Sequence, residues 1–455
     1  MIKVVKFGGS SLADGGQFTK VASIIRAEKE RRLVVVSAPG KRFPEDIKTT
    51  DLLIELAETV AAGGEAKEPL RKVVDRFAAI VEELGLDKEL LDTIHGRLQH
   101  LIETYKENTP RLFDSLKASG ENENARLMAA YLEKLGEEAH FVPPEEAGIV
   151  VTDEPGDARV LPEAYDRLKK LRERSGILVI PGFFGVSKTG HIVTFPRGGS
   201  DITGSIVAAG VEASLYENFT DVDSVYSVNP SLVENPNEMK ELTYREMREL
   251  AYAGFSVFHD EALQPVVAKK VPVSIKNTNR PEADGTLIVA EREQKGLPVI
   301  GIAADKGFLT INLTKYLMNR EVGFGQHLLQ ILAEEGISFE HTPSGIDNMS
   351  IILREEYLEN GKEEKILHRI RTELQVEEVH VERELAMVMV VGEGMASTVG
   401  VAAKATTALA EAGINIKMIN QGSSEVSMMF GVNASQADAA VKSLYKACFE
   451  TAGAR

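Results

Sequence analysis

Lys6-Phe7-Gly8-Gly9-Ser10-Ser11 brings a lysine, two glycines and two hydroxyls together at the end of a short apolar run. Glycines lack the side chain that keeps a polyanion away, and the N–H groups of a turn and of a helix start are free donors. Lysine adds a point charge that can meet phosphoryl oxygens. The stretch reads as a phosphate cradle or, more plainly, as a tight turn beside a solvated lysine. Arg197-Gly198-Gly199-Ser200-Asp201 repeats the Gly-Gly-Ser device with an arginine before it and an aspartate after it. Arginine offers a planar fork for a carboxylate or phosphate, and aspartate can hold a metal or orient a lysine. Two such turns together favour an anion site over a pair of ordinary connections. No G-x-x-x-x-G-K-[ST], G-x-G-x-x-G or G-x-S-x-G run is present, so a Walker site, a dinucleotide fingerprint and a nucleophile elbow gain no support.

The elements around these stretches must place them on one edge. Val4, Val5 and Phe7 form a strand; Ser10-Ser11, followed by Val21, Ile24 and Ile25 at helical spacing, signals a helix start. Leu33–Val36 is a second strand, ending at Ser37-Ala38-Pro39-Gly40-Lys41, and Thr49-Thr50-Asp51 caps a helix through Leu52, Leu53, Leu56 and Val60. Strand and helix in alternation give a mostly parallel sheet, whose ligands sit beyond the C-terminal strand ends. Residues from about 69 to 135 read as consecutive amphipathic helices, with Ser119-Gly120-Glu121 breaking two of them and setting a carboxylate at a helix start. Strands follow at Ile177–Pro181, His191–Phe195, Leu215–Phe219, Val271–Ile275 and Thr286–Ala290. A charged stretch, Glu291–Leu297, is the boundary.

Beyond it the grammar changes. Ile300–Ala304, Phe308–Leu313, Ile337–His341 and Met349–Arg354 read as strands, the pattern recurs from Glu378–Glu382 and Ala386–Val391, and Glu335-Gly336-Ile337-Ser338-Phe339 matches Ala412-Gly413-Ile414-Asn415-Ile416 in position and type. The spacing predicts two βαββαβ modules of ferredoxin-like type as an internal repeat.

Composition bounds the functions open to such a chain. Its 455 residues suggest two to four domains, and 43% hydrophobic with 27% charged residues is a globular balance. Net charge −17 without a basic stripe argues against nucleic acid or an anionic membrane as main partner. The single Cys448 reads as a small buried apolar residue. Met1-Ile2-Lys3 runs straight into a strand without a secretion signal, and no run reaches transmembrane length, so a reducing cytoplasm is the expected location.

In order along the whole chain, Lys6–Ser11, Val36-Ser37-Ala38, Ser119-Gly120-Glu121, Pro181-Gly182-Phe183, Arg197–Asp201, Thr220-Asp221-Val222-Asp223 and Gly285-Thr286 resemble the motifs of the aspartate kinases. That resemblance implies an α/β amino-acid-kinase fold, a mostly parallel central sheet sandwiched by helices, followed by two ACT modules. It implies a catalytic domain over residues 1–292, with a helical substrate lobe at about 66–136, and ACT modules at 299–372 and 373–455, with 299–314 able to pack with the second. Lys6, Gly8, Gly9, Ser10 and Asp201 are then expected around the transferring phosphoryl group of ATP and its Mg²⁺. Thr220, Asp221 and Tyr226 are expected along the nucleotide, and Ser37, Thr50, Glu121, Arg197, Gly198 and Ser200 around L-aspartate. Glu121 would pair the substrate ammonium and Arg197 a carboxylate.

Met318, Gly323, Phe324, Gly325, Ser338 and Glu340 fall where the resemblance places an amino-acid effector, lysine or threonine, with Glu340 suited to a lysine side chain. ACT modules imply pairing of sheets between chains, hence a homo-oligomer, at least a dimer. The family's usual Tyr-x-x-Asp-Pro-Arg and Gly-x-Lys-Val-Leu-His-Pro runs read here Tyr226-Ser227-Val228-Asn229-Pro230-Ser231 and Gly254-Phe255-Ser256-Val257-Phe258-His259-Asp260, so Lys270 or Lys276 is the expected substitute cation. The alternatives are a kinase for another amino-acid carboxylate and a non-catalytic amino-acid sensor. A fused homoserine dehydrogenase is not expected, since the second ACT module ends the chain.

Overall fold

A computed structural model describes residues 1–196, 198–255, 257–258, 260–293, 296–359, 361–422 and 426–450, with Asp260 described by its backbone alone. Chain contacts divide it into two compact units: residues 1–225, 238–251 and 256–292 form one, and 226–237, 252–255 and 293–455 the other.

The first unit is built on an eight-stranded sheet in the order Glu241–Thr243, Thr286–Val289, Val273–Asn277, Leu215–Thr220, Lys3–Phe7, Arg31–Val36, Ile177–Pro181, Ala139–Phe141. Every pairing but one is parallel; Val273–Asn277 and Thr286–Val289 run antiparallel. The central strands are almost wholly buried because helices cover both faces, which is why they read as continuous apolar runs. Lys3–Phe7 sits in the middle, so Lys6 and the loop after it open at the C-terminal edge between two neighbours. Phe7, Phe18, Val21, Ile25, Val34, Leu53, Leu56 and Phe77 pack beneath this edge.

Two local expectations are revised. The first helix starts at Gly15 rather than at Ser10-Ser11: Asp14 caps it by accepting from the Gln17 N–H at 2.8 Å, while Gly9–Leu12 forms a 3₁₀ turn. Ser119-Gly120-Glu121 does not break a helix either. It lies within one helix, Thr109–Lys134. A glycine there costs about 1 kcal/mol relative to alanine, and packing demands it, since a Cβ on Gly120 would meet the Ala38 Cβ at 2.9 Å and Leu53 at 3.1 Å.

The second unit holds a five-stranded antiparallel sheet in the order Asn348–Arg354, Gly301–Thr314, Glu378–Val391, Ser427–Asn433, Met418–Asn420. The two repeats therefore share one sheet through two 14-residue strands, each read from sequence as a pair of shorter ones. Irregular register around Lys306–Thr310 absorbs the break, and Gly307 takes φ +88°. Ile337–His341, expected as a strand, makes only the isolated bridge His341–Ile352. Helices Phe324–Glu334 and Lys362–Leu374 cover one half of the sheet, and Val401–Glu411 and Ala437–Tyr445 the other.

Candidate active site

Lys6 is 7% exposed, at the end of the central strand. Its Nζ lies 2.6 Å from Asp201 Oδ1 and 3.4 Å from Asn218 Oδ1, and Asn218 Nδ2 donates to the same Asp201 oxygen at 2.8 Å. Asp201 stands in the first turn of helix Gly199–Gly210, where the helix dipole favours a carboxylate. Beneath it the Tyr216 hydroxyl donates to the Asp201 carbonyl at 3.3 Å; burial, with the nearby Asp201 charge second, pushes that phenol well above its ordinary range. The sequence motifs contained Lys6 and Asp201 but not Asn218. A polar pair, Glu217-Asn218, inside the buried strand Leu215–Thr220 is the signal that could have shown it.

The loops after the first two strands interlock. Gly40 N–H donates to the Gly9 carbonyl at 2.8 Å, and a Cβ on Gly40 would meet Gly9 C at 2.5 Å, so only glycine lets these backbones touch. Gly8 donates to the Phe219 carbonyl at 3.2 Å. Ser10 is exposed at the rim, whereas Ser11 is buried with its hydroxyl 2.7 Å from that of Thr278. Ser37 N–H donates to the Phe7 carbonyl at 3.1 Å. Thr50 lies in the first turn of helix Thr49–Ala61.

Glu121 is 5% exposed and faces Ala38. Burial pushes its carboxyl up to about 8, against the lowering effect of the Ala38 and Glu121 backbone N–H groups. Its Oε2 has no partner among the described residues. One turn on, Asn124 Nδ2 donates to the Ser37 carbonyl at 2.7 Å. The same helix is tied to the second glycine loop. Asp114 is 1% exposed and accepts from Thr194 Oγ1 at 2.7 Å, from Thr194 N–H at 3.3 Å and from Gly156 N–H at 3.0 Å.

That loop places Gly198 at φ +59° as the cap of helix Gly199–Gly210, with Ser200 buried in its first turn. Arg197 lies outside the described residues. Phe183 holds φ +76° without being glycine, and its N–H donates to Thr203 Oγ1 at 3.0 Å, so the Pro181–Phe183 turn is locked onto the same helix.

On the nucleotide side, Thr220 ends its strand with its hydroxyl 3.2 Å from Asp221 Oδ1, and Asp221 is exposed. Asp223 is occupied instead, accepting from Asn277 Nδ2 at 2.7 Å and Arg280 Nη1 at 2.6 Å. Tyr226 is half-buried and belongs to the second compact unit, as does the stretch after it, where Val228 joins the core of Val299 and Ile302. Neither expected substitute cation sits with Asp221. Lys270 follows helix Leu263–Lys269 and precedes strand Val273–Asn277, at the opposite end of the sheet from Thr220. Lys276 lines a cavity of about 550 Å³ against Thr19, Lys20 and Ser23 of the first helix. Ser256 and His259 lie outside the described residues.

In the second unit, buried Met318 is followed by Gly323, at φ +85°, and by buried Phe324 and half-buried Gly325 at the entry to helix Phe324–Glu334. Ser338 is exposed. Glu340, expected to suit a lysine side chain, accepts from the Tyr252 hydroxyl, and Arg354 Nε lies 3.6 Å away.

The sheet and its lysine-bearing central strand define a class. The sequence profile of the amino acid kinase family matches residues 1–277, and that of the ACT domain matches residues 388–448. Aspartokinase 3 of Bacillus subtilis (strain 168) is 56% identical over 448 residues, covering 98% of this chain and 99% of its own. The crystal structure of Clostridium acetobutylicum aspartate kinase aligns at TM-score 0.83 and 39% identity, over 98% of this chain and 100% of the other. E. coli aspartokinase III in complex with aspartate and ADP (R-state) aligns at TM-score 0.82 and 27% identity, over 99% and 100%. Its T-state complex with lysine and aspartate aligns at 0.75 and 26%, over 98% and 99%. The chain belongs to the aspartokinases, within the amino acid kinase family.

Proposed function

We propose that this chain transfers the γ-phosphoryl group of ATP to the side-chain carboxylate of L-aspartate, giving 4-phospho-L-aspartate and ADP, under feedback control by an amino acid held in its ACT region. The observation that carries this reading is a buried Glu121 carboxyl held on the Ala38 backbone beside the phosphate loop, with Oε2 left without a described partner: it suits the ammonium of an amino acid. The solved E. coli relative binds aspartate and ADP.

The nucleophile is a carboxylate, ionised at neutral pH because its ordinary pKa is about 4, so no general base is needed. A carboxylate oxygen attacks the γ-phosphorus, the new O–P bond forms, the bond to the β-phosphate oxygen breaks, and the electron pair leaves with ADP. The task is to hold two anions in line and cancel their charge. Lys6 supplies the cation, Gly8, Gly9 and Ser10 the loop donors, and Asp201 and Asn218 fix the lysine. Mg²⁺ suits a site with one nearby carboxylate, since it commonly binds one or two carboxylates plus substrate phosphates; among the described residues no group of three or more His, Cys, Asp or Glu could hold a metal alone. Asp201 is the residue that would meet it, and the ion would neutralise phosphate charge.

Thr220, Asp221 and Tyr226 are assigned to the nucleotide, and Ser37, Thr50, Arg197, Gly198 and Ser200, with Glu121, to aspartate. Kinase chemistry is assigned to residues 1–292 and regulation to 299–372 and 373–455. Met318, Gly323, Phe324, Gly325, Ser338 and Glu340 are the effector residues, lysine or threonine being the effector; the E. coli relative binds lysine. Edge strands Asn348–Arg354 and Met418–Asn420, with Ile419 half exposed, support pairing of copies through the ACT sheet. No described helix is long and apolar enough to cross a membrane, and the one buried cysteine suits a cytoplasmic enzyme. Trapping the acyl phosphate with hydroxylamine tests the reading. Aspartate-dependent hydroxamate that falls when lysine or threonine is added supports it; lysine binding without turnover would leave a sensor.

A further inference from the structure

The phosphate loop is fixed at three points, each by a different neighbour. Gly8 N–H donates to the Phe219 carbonyl at 3.2 Å, and the Gly9 carbonyl accepts from Gly40 N–H at 2.8 Å. The third tie comes from further off: Ser11 Oγ lies 2.7 Å from Thr278 Oγ1, with Ser11 2% and Thr278 1% exposed. Buried hydroxyls are nearly always paired, and these two serve one another. Thr278 follows strand Val273–Asn277, which strand Leu215–Thr220 separates from Lys3–Phe7. The chain therefore crosses the end of the nucleotide-side strand to reach the loop, and on the way Thr278 N–H donates to the Thr220 carbonyl at 2.9 Å. Its neighbour Asn277 extends the tie, donating through Nδ2 to the Asp221 carbonyl at 3.3 Å and to Asp223 Oδ1 at 2.7 Å. Lys20 of the first helix holds the same turn from outside, through Asn279 Oδ1 at 2.8 Å.

We infer that Thr278 is a positioning residue for the proposed phosphoryl transfer: it sets the Ser10-Ser11 end of the phosphate loop against the Thr220-Asp221 strand end. The donors that meet the phosphates and the residues assigned to the nucleotide then keep one spacing. This rests on the kinase reading of the site. Thr278 is sealed from solvent and acts through Ser11 on one side and Thr220 on the other. A donor array aimed before the ligand arrives need not reorganise as charge develops. Without the hydroxyl pair, Gly8 and Gly9 still anchor the front of the loop while its Ser10-Ser11 end is released. Nucleotide affinity should then fall, and affinity for aspartate, assigned to Glu121 and the second glycine loop, should hold.

Hydroxamate kinetics and calorimetric titration with MgADP test this on the full chain, as wild type, Thr278→Val, Thr278→Ser, Ser11→Ala and the double variant Ser11→Ala/Thr278→Val. One neutral hydrogen bond is worth about three- to tenfold, so Thr278→Val and Ser11→Ala are each expected to raise the MgATP KM and the MgADP Kd by that factor, with the aspartate KM within about twofold of wild type. Thr278→Ser keeps the hydroxyl and is expected to stay within about twofold on every constant. The double variant should be no worse than the weaker single, because both remove one bond. Unchanged nucleotide constants, MgATP and aspartate KM rising together, Thr278→Ser as damaging as Thr278→Val, or additive losses would each overturn the assignment. Ser11→Ala removes the same bond from the loop side and carries the test alone if Thr278→Val does not fold. If wild type makes no hydroxamate, the functional reading has failed and the MgADP titration still decides this inference; if wild type turns over and the variants keep its nucleotide constants, only this inference has failed.

Discussion

The lysine cluster and the Glu121 corner lie in one unit, yet they are finished to different degrees. Lys6, Asp201 and Asn218 satisfy one another within 2.6–3.4 Å. Glu121, Asn124 and Thr49 bury three oxygens that no described residue satisfies. The first region is preorganised, so its charge is aimed before any ligand arrives. The second stores a desolvation cost that an incoming cation can relieve. Removing a residue from the first should therefore damage turnover, and neutralising Glu121 in the second should damage affinity while strengthening the empty protein.

Lys6→Ala breaks the comparison most severely. We expect kcat to fall about 10³-fold, the upper loss seen when one preorganised electrostatic group is removed, with aspartate affinity changed little; steady-state kinetics beside calorimetry would show the split. A loss confined to affinity would mean that the lysine only recruits substrate.

Glu121→Gln comes next. Aspartate affinity should drop about 100-fold, while the ligand-free chain gains about 1–3 kcal/mol at pH 8, the usual cost of one unsatisfied buried polar group. The sign follows from linkage. Burial raises the Glu121 carboxyl from an ordinary 4.5 to about 8, so the native state holds a proton that the unfolded state has released between those values. Stability contributed by this group is full below pH 4.5 and is lost as pH rises through 8. Melting temperatures of wild type and Glu121→Gln should diverge over that window and run together below it.

Aspartate binding should itself tighten as pH climbs from 6 toward 8, by at most about tenfold per unit, because the ammonium selects the ionised carboxyl. Calorimetry in buffers of different ionisation enthalpy would detect the released proton; a flat profile would place the cation elsewhere. The smallest effect belongs to Asn218→Ala, expected to lower kcat by roughly tenfold, one hydrogen bond's worth, through loosening of Asp201.

Most of the first unit could be read from residues alone, since Val4–Val5, Leu33–Val36 and Ile177–Ile180 are apolar without interruption, as strands buried on both faces must be. Ser119-Gly120 misled because a glycine demanded by Ala38 is locally indistinguishable from one that ends a helix. The paired ACT strands were divided at Asp305-Lys306-Gly307 and Arg383-Glu384, polar residues that a long strand carries at a bulge or on an exposed stretch. Glu340 showed its carboxylate in the sequence but not that Tyr252, almost ninety residues earlier, would donate to it.

Asp114 ties the helix that carries Glu121 to the strand that leads into the second glycine loop. The rod that carries Glu121 also grips Thr194, two residues before the second glycine loop's Pro196, so the end that would take the amine and the end that would take a carboxylate are clamped to one another rather than floating independently. On the proposed reading a calliper locked in this way would measure length: an amino acid one methylene longer would need both ends to move together, because the helix that carries one also holds the other.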